Sequence, residues 1–388
     1  MYLYPYLVLF MIIFSFSFIS YGKKTEFAVS LNFFTILVLF IFIGFRGFVS
    51  TDWYNYYPVF EKVQEWRLYD YEYIKSFGWE YGSMFFLVLM KKLGFDYFGY
   101  CLISATIDLI VLNQFFEIYS ENKCLSWVLF ILFSGLMIEF NLLRNSKAID
   151  CFLISLKYIY KNKFKYFLLN ILGLLFHSTA IVFILFYFIY KTNFYKNRKL
   201  VFVLWIIGII IYVCKIPFIE TFVLTIADFL PGRFAYLAKR YTVLNTLLTS
   251  YGFGFGFIER TLTFFIILFN QDKLLKNEKN GVFVALIYVY FFCFLYLAEI
   301  FQLAARITSV TIMGYWILIP YLAKNLSRRN KLLFFLILFC YAIIKLYAIY
   351  AYDETFEYEN WLFGTVKTYK QRYFENFKAF LMSSGRLK

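Results

Sequence analysis

The residues on which many soluble enzymes depend are scarce in this sequence. Among its 388 residues there are 1 histidine, 5 prolines and 6 cysteines, and charged residues make up only 16%. The cysteines show no paired spacing, so we expect neither disulfides nor a zinc site. The sequence also lacks a Gly-x-x-x-x-Gly-Lys phosphate loop, a Gly-x-Ser-x-Gly elbow, a His-Glu-x-x-His pair and an Asp-x-Asp motif. ATP-driven and zinc-dependent enzymes are therefore disfavoured, and we expect no metal and no cofactor.

Apolar residues, by contrast, are abundant. Hydrophobic residues make up 62% of the chain, and the mean hydropathy is +0.67. Long apolar runs separated by short loops predict an all-α, polytopic membrane protein with about 10–12 transmembrane helices and re-entrant segments. The net charge of +15 could by itself suggest nucleic-acid binding. Because the lysines lie mainly in short loops, the positive-inside rule accounts for the charge better, and we expect no nucleic-acid partner.

The sequence predicts one transmembrane domain, residues 1–388. The first apolar run lacks a basic n-region and a clear cleavage site, so we expect it to be a retained helix. The basic pair Lys23 and Lys24 follows this run and should lie in the cytoplasm, which places the stretch from Arg46 to Tyr57 outside. The remaining predicted parts are the extracytoplasmic loops 48–79 and 215–254 and an interfacial C-terminal tail, 351–388.

Two apolar segments leave the topology open. Residues 80–93 are too short for a full span and are predicted to be re-entrant or interfacial. Residues 166–190 have basic clusters at both ends, which predicts a helical hairpin that dips into the membrane with His177 near its tip. Irregular backbone at that depth must face protein or water, so such a hairpin would line a cavity. In the alternative, both segments are simple crossings and Arg144 lies in the cytoplasm.

Several charges that are costly near a membrane gather at the outer face in the preferred topology. A guanidinium group presents a planar fork of donors that suits phosphate oxygens, so converging arginines predict a site for a pyrophosphate or another anion. Structural roles for these charges stay open: an interfacial ion pair between Arg46 and Asp52, a snorkelling Arg144, or ordinary solvated loop charges. The candidate cations are Arg46, Arg144, Lys147, Arg233, Arg240 and Arg306, and the candidate acids are Asp52 and Glu80.

His177 is the only histidine of the chain. A lone histidine in an apolar run is commonly a hydrogen-bonded packing residue. At a hairpin tip it is also a candidate for taking the proton of a sugar hydroxyl, since imidazole titrates near neutral pH. Asp52 is the alternative base, and Glu80 is a further catalytic candidate. Trp53 and Tyr56 are candidates for stacking on sugar faces, although an interfacial aromatic belt is the simpler interpretation.

Four short motifs stand in order in the first half of the chain. They are Phe45-Arg46-Gly47 with Thr51-Asp52-Trp53-Tyr54-Asn55-Tyr56-Tyr57-Pro58-Val59-Phe60, then Gly78-Trp79-Glu80-Tyr81-Gly82, then Leu143-Arg144-Asn145-Ser146-Lys147-Ala148-Ile149, and finally Phe176-His177-Ser178-Thr179-Ala180. Their order and spacing resemble the Wzy-type and EpsG-like polymerases of O-antigen and exopolysaccharide. Two positions depart from that pattern: Tyr81 stands where a proline is common, and Asn145 where a glutamine is common.

The resemblance implies a metal-independent, inverting glycosyltransferase that joins repeat units carried on undecaprenyl pyrophosphate. It places the active site at the outer, periplasmic face of a bacterial inner membrane. It implies lipid-linked oligosaccharides as donor and acceptor, the lipid bilayer as surroundings and a chain-length regulator protein as a partner. Two alternatives stay open: an O-antigen ligase, which would also have a long outer loop, and a flippase, which would be expected to show an internal repeat that this sequence lacks.

Overall fold

The structure is a computed structural model that describes residues 2–21, 25–217, 221, 224–226, 229, 252–324, 326–364 and 366–383. Within these ranges the regular elements are helices, apart from one antiparallel bridge between Arg46 and Asn360. The all-α prediction is therefore confirmed. The long loop predicted at 215–254 lies mostly outside the described residues.

The chain divides into two compact units. The first consists of Met1–Ile184 and Pro320–Lys388, and the second consists of Leu185–Ile319. A π-helical turn, Phe40–Gly44, extends the second helix. In chain order the helices are α1 Tyr4–Ser20, α2 Thr25–Leu39, α3 Trp53–Lys62, α4 Tyr71–Ser76, α5 Tyr81–Lys92, α6 Tyr97–Tyr119, α7 Lys123–Leu132, α8 Gly135–Asn141, α9 Leu143–Ser155, α10 Lys163–Phe176, α11 Ile181–Lys191, α12 Arg198–Cys214, α13 Phe255–Phe269, α14 Gln271–Leu275, α15 Asn280–Tyr296, α16 Phe301–Thr311, α17 Gly314–Lys324, α18 Arg328–Tyr350 and α19 Tyr369–Ser383.

Several of these helices have the length and composition of membrane spans. Among the described residues, Glu26–Gly44, Tyr97–Tyr119 and Arg328–Tyr350 are long and apolar enough to cross a bilayer. Two bent pairs raise the number to as many as five: α7 with α8, bent by 60°, and Ala304–Thr311 with α17, bent by 41°. These helices make the chain a multi-pass membrane protein.

The segment around His177 folds back on itself. Helix α10 ends at Phe176, and His177 has extended backbone angles. The reversal is sharp enough that the Tyr166 hydroxyl donates to the Phe183 carbonyl at 2.6 Å. This geometry agrees with the predicted hairpin and its tip at His177. The side of the membrane to which it opens stays a prediction.

The short segment after Glu80 is a helix of limited length. Helix α5 has 12 residues, which corresponds to about 18 Å and falls short of a hydrocarbon core of about 30 Å. The sequence prediction that this segment is too short for a full span agrees with that length.

The C-terminal tail, predicted to be an interfacial helix, packs on protein. Its backbone pairs with the stretch that follows α2: the Gly47 amide donates to the Glu359 carbonyl at 2.9 Å, and the Ser50 amide to the Thr355 carbonyl at 2.7 Å. Arg372 of α19 is fully buried and pairs with Glu357. The tail's own carboxylate therefore pairs with one of its buried cations, and its position at a membrane interface stays a prediction.

Candidate functional site

The first wall of the site is the chain between α2 and α3. After the π-helical turn, Ser50 adopts a left-handed conformation with φ 67° and turns the chain. The side-chain oxygen of Asn141, at the end of α8, accepts the amides of Thr51 at 3.1 Å and Asp52 at 3.4 Å. Asp52 then precedes the first residue of α3. The end of α8 therefore fixes where this loop enters α3.

Arg144 lies at the start of α9 and joins three elements. Its Nη1 donates to Glu80 Oε2 at 2.6 Å, and its Nε donates to the Tyr56 hydroxyl at 3.1 Å. The guanidinium carbon also lies 4.6 Å from the centre of the Trp79 ring. Helix α3, the beginning of α5 and the beginning of α9 thus converge on one guanidinium group.

Glu80 connects this guanidinium to the hairpin. Its second oxygen, Oε1, accepts the Ser178 amide at 3.0 Å. Two residues later, a Cβ at Gly82 would lie 2.8 Å from the Leu175 carbonyl oxygen of α10. A larger residue at that position would push α5 away from the hairpin. Glycine is therefore required for the close approach that brings Glu80 to Ser178.

His177 is held by Thr179, two residues later on the hairpin. Its Nδ1 accepts the Thr179 amide at 3.1 Å and lies 2.9 Å from the Thr179 hydroxyl. That hydroxyl donates to Asn145 of α9 at 2.5 Å. Because a backbone amide can only donate, Nδ1 acts as the acceptor, and a neutral His177 ring carries its proton on Nε2.

This tautomer bears on the predicted role of His177. In this tautomer the accepting nitrogen, Nδ1, already receives the Thr179 amide, so His177 could act as a base only after that contact is broken. The role of His177 as the base stays a prediction.

The cluster is partly open to its surroundings. The side chains of Arg144 and Glu80 are 21% and 23% exposed, and those of His177 and Asp52 are half-buried. Burial raises the pKa of Tyr56 to about 12, although the charge of Arg144 opposes the shift. Tyr56 therefore keeps its proton, and the Arg144 side chain stays partly accessible.

The structure thus brings together five of the predicted site residues. Glu80 and Tyr56 contact Arg144 directly, and His177 is connected through Thr179 and Asn145. Asp52 lies near enough for its charge to act on Arg144 and Tyr56. Together they form a cluster of one guanidinium group with two carboxyl groups, and its role as an anion site stays a prediction.

Arg46 does not join this cluster, which corrects its prediction as a pyrophosphate ligand. It is 3% exposed, and its two terminal nitrogens donate to the carbonyls of Ile43 at 2.6 Å and Glu139 at 2.7 Å. Its position at the end of α2 turns the guanidinium inward, so backbone carbonyls take the place of phosphate oxygens.

Lys147 also departs from its prediction. It is buried, pairs with Asp108 of α6 and donates to the Ser104 carbonyl at 2.8 Å. Three helical residues correspond to a rise of about 4.5 Å, which carries Lys147 from the open end of α9 to the bundle interior. It is therefore an internal ion pair rather than a pyrophosphate ligand.

The two rings predicted to stack on sugars are buried. Trp53 and Tyr56 are 3% and 4% exposed, and the Trp53 indole donates to the Ser50 carbonyl at 2.8 Å. They belong to an apolar cluster with Phe60 and α5, so neither ring has a face for a sugar. Trp79 is half-buried and packs on Arg144, so its ring is better placed to contact a sugar. Its position beside Glu80 in the second motif could have indicated this role.

The remaining predicted cations lie elsewhere. Arg233 and Arg240 fall outside the described residues, and Arg306 is an exposed residue of α16 in the second unit. Their roles stay predictions. Sequence reasoning missed Asn145 and Thr179, whose polar side chains beside Arg144 and His177 were the available signal.

Comparison with known proteins gives one match. A family model described as EpsG family matches residues 29–360, which is most of the chain. The matched region runs from α2 to the Asn360 bridge and so contains Asp52, Glu80, Arg144 and His177. No curated protein and no solved structure matches the chain.

Proposed function

The chain belongs to the EpsG family, and from that membership we propose that it is a polysaccharide polymerase. In this proposal it joins oligosaccharide repeat units carried on undecaprenyl pyrophosphate. It works in a bacterial inner membrane, with its site facing the periplasm and a chain-length regulator as a partner. The observation that carries the proposal is a partly exposed arginine, Arg144, held by Glu80 beside the reversal at His177.

Arg144 is the pyrophosphate ligand in this mechanism. Its guanidinium group contacts Glu80 through Nη1 and Tyr56 through Nε, and part of the side chain stays accessible. A pyrophosphate can occupy the same fork with two parallel charge-assisted hydrogen bonds. These contacts would stabilise the charge that develops on the leaving group.

Glu80 is the group we assign to the acceptor proton. When pyrophosphate takes the guanidinium fork, Oε2 is released, while Oε1 keeps the Ser178 amide. The acceptor hydroxyl then attacks the anomeric carbon, and its proton passes to Glu80. The new glycosidic C–O bond forms as the bond to pyrophosphate breaks, and the pyrophosphate leaves with the electron pair.

The test is complementation of a polymerase-deficient strain. Arg144→Ala should abolish long glycan chains and leave single repeat units that are not extended. The matched control is Arg67→Ala. Like Arg144, Arg67 is a partly exposed arginine in an ion pair, but its partner is the neighbouring Asp70. Full ladders from Arg144→Ala would contradict the proposal.

A strain in which only this chain is deleted distinguishes a polymerase from a ligase. Loss of a ligase leaves completed polymer on undecaprenyl pyrophosphate, whereas loss of a polymerase leaves single units. Accumulated polymer in that deletion strain would therefore assign the chain to ligation.

A flippase for the lipid-linked unit is the second candidate, and one observation favours it. Asp108 and Lys147 form a buried ion pair halfway along α6, and charges inside a helical bundle are common on transport paths. A polymerisation assay with detergent-purified protein decides between the two, because detergent offers no membrane across which a flippase could act. Chain growth in that assay would exclude transport as the activity.

A further inference from the structure

A second group of ionisable side chains lies inside the first unit, away from the proposed glycosyl-transfer site. Its centre is Asp108, which is fully buried at the middle of the apolar helix α6. Lys147 pairs with Asp108 Oδ1, and the Ser146 hydroxyl lies 3.1 Å from Oδ2 and 3.0 Å from the Leu143 carbonyl oxygen. The ammonium group of Lys147 is therefore the charged partner of this carboxyl group.

Two more carboxyl groups face Asp108. Glu139 of α8 and Asp150 of α9 are both more than nine-tenths buried, and both lie close enough to Asp108 for its charge to act on them. Within the described part of the chain, Glu139 Oε2 and Asp150 Oδ2 have no hydrogen-bond partner. Lys147 Nζ lies 3.9 Å from Asp150 Oδ2, too far for a hydrogen bond.

The charges around this group do not balance if every carboxyl is ionised. The facing cations are Lys147 and Arg46, whose guanidinium contacts the Glu139 backbone. Three carboxylates would exceed them by one negative charge in an apolar bundle, where an unpaired charge is costly. Further titratable groups on the same helices are Tyr97, Tyr100 and Cys101 of α6 and Arg144 and Cys151 of α9.

Hydrogen bonding leads to the same requirement. Glu139 Oε2 and Asp150 Oδ2 have no donor among the described residues, so a negative charge on either group would be buried without compensation. Protonation removes that charge. Among the described residues, no group of three histidine, cysteine, aspartate or glutamate side chains has an arrangement that could hold a metal ion.

We infer that Asp108, Glu139, Lys147 and Asp150 form a buried proton-binding centre, in which Glu139 or Asp150 is protonated at neutral pH. The centre is distinct from the proposed glycosyl-transfer chemistry, because none of its carboxyls contacts Arg144 in the hydrogen bonds described. Lys147 and Asp150 lie on helix α9, as Arg144 does. Protonation of the centre therefore stabilises the helix that carries the proposed pyrophosphate ligand.

Infrared spectroscopy of the purified full chain tests this directly. Unsubstituted protein at neutral pH should show the carbonyl band of a protonated carboxylic acid, and ¹³C labelling of the Asp or Glu side chains should move it. Glu139→Gln or Asp150→Asn should remove that band, whereas the matched control Asp70→Asn, at an exposed ion pair, should leave it. The isotope experiment uses the unsubstituted chain and therefore decides even if a variant does not fold.

Two results would overturn the inference. One is the absence of any protonated-acid band at neutral pH, or a band that persists in both the Glu139→Gln and the Asp150→Asn variant. The other is a band that disappears when choline is replaced by Na⁺ in the buffer, because the site would then take a metal ion instead of a proton.

Thermal unfolding at several pH values gives an independent readout. The folded centre binds more protons near neutrality than unfolded carboxyls do, so stability should fall as pH rises above about 5, the range where free carboxyls are ionised. One such proton changes the unfolding equilibrium by about tenfold per pH unit. A double Glu139→Gln, Asp150→Asn variant should lose this part of the dependence, and an unchanged pH profile would contradict the centre.

Discussion

Helix α9 carries two cation–carboxylate pairs that differ sharply in their surroundings. The Arg144–Glu80 side chains are 21% and 23% exposed, whereas those of Lys147–Asp108 are 7% and 2% exposed. Only three residues separate the two cations. Depth in the bundle, more than residue type, therefore distinguishes a ligand site from an internal support.

The difference follows from how each pair can respond to an anion. A partly exposed guanidinium can exchange its carboxylate for a phosphate, because solvent and the substrate compensate the released group. A buried ammonium cannot lose its partner without leaving an uncompensated charge in the bundle. We therefore expect Arg144 and Glu80 to govern activity and Lys147 and Asp108 to govern folding.

The largest effect should come from breaking the buried pair. Lys147→Ala would leave Asp108 with an unpaired charge and should lower stability by about 3–5 kcal/mol. The measurement is the yield and thermal midpoint of detergent-purified protein, with the exposed Lys157→Ala as control. A Lys147→Ala protein as stable as the control would remove the distinction between the two pairs.

Removing the charge of Glu80 should affect activity and spare the fold. Glu80→Gln keeps an oxygen for the Ser178 amide but loses the base, so polymerisation should fall by about a hundredfold or more. The rate of chain growth by purified protein is the measurement. Asp52→Asn is the companion variant, and a larger loss there than in Glu80→Gln would transfer the role of base to Asp52.

Weakening the attachment of the C-terminal tail should have a smaller, indirect effect on the Arg144–Glu80 pair. Arg372→Ala removes a buried guanidinium that donates to the Glu354 and Glu357 carbonyls at 3.0 Å each. We expect a stability loss of about 1–3 kcal/mol, because these groups lose their donor. Thermal unfolding and chain growth should be compared with the exposed Lys370→Ala. Identical values for both variants would show that the tail does not support the loop before α3.

The smallest effect should follow from removing one hydroxyl group beside Arg144. Tyr56→Phe deletes the acceptor of the Arg144 Nε bond but keeps the buried ring. A loss of about 1 kcal/mol, or roughly fivefold in rate, is expected for one hydrogen bond. Tyr57→Phe, in the same helix, is the control for chain growth. A loss as large as that of Glu80→Gln would mean that Tyr56 takes part in the chemistry.

Much of the fold and part of the site could be predicted from the sequence. Hydropathy indicates the apolar helices, and the basic clusters on both sides of 166–190 indicate the reversal at His177. The motifs around Arg144 and Glu80 correctly pointed to residues that meet in space. These features depend on local composition, so they can be recognised without knowledge of tertiary contacts.

The errors concern partners that lie far apart in the chain. Lys147 was predicted at the outer face because its partner, Asp108, lies 39 positions away on another helix. A single aspartate in the middle of an apolar helix nevertheless indicates a buried, paired charge, and sequence analysis can use that signal. Trp53 was misassigned because hydropathy does not show which side of a short aromatic helix faces the core. The tautomer of His177 depends on a backbone amide at the turn and required coordinates.

Binding of the lipid carrier tests the central claim most directly. Calorimetric titration of undecaprenyl pyrophosphate into purified protein should show strong binding for the unsubstituted chain and for Arg67→Ala. The same titration should show little or none for Arg144→Ala. Equal affinity in all three proteins would mean that the guanidinium at the start of α9 does not hold the diphosphate, and the account would fail.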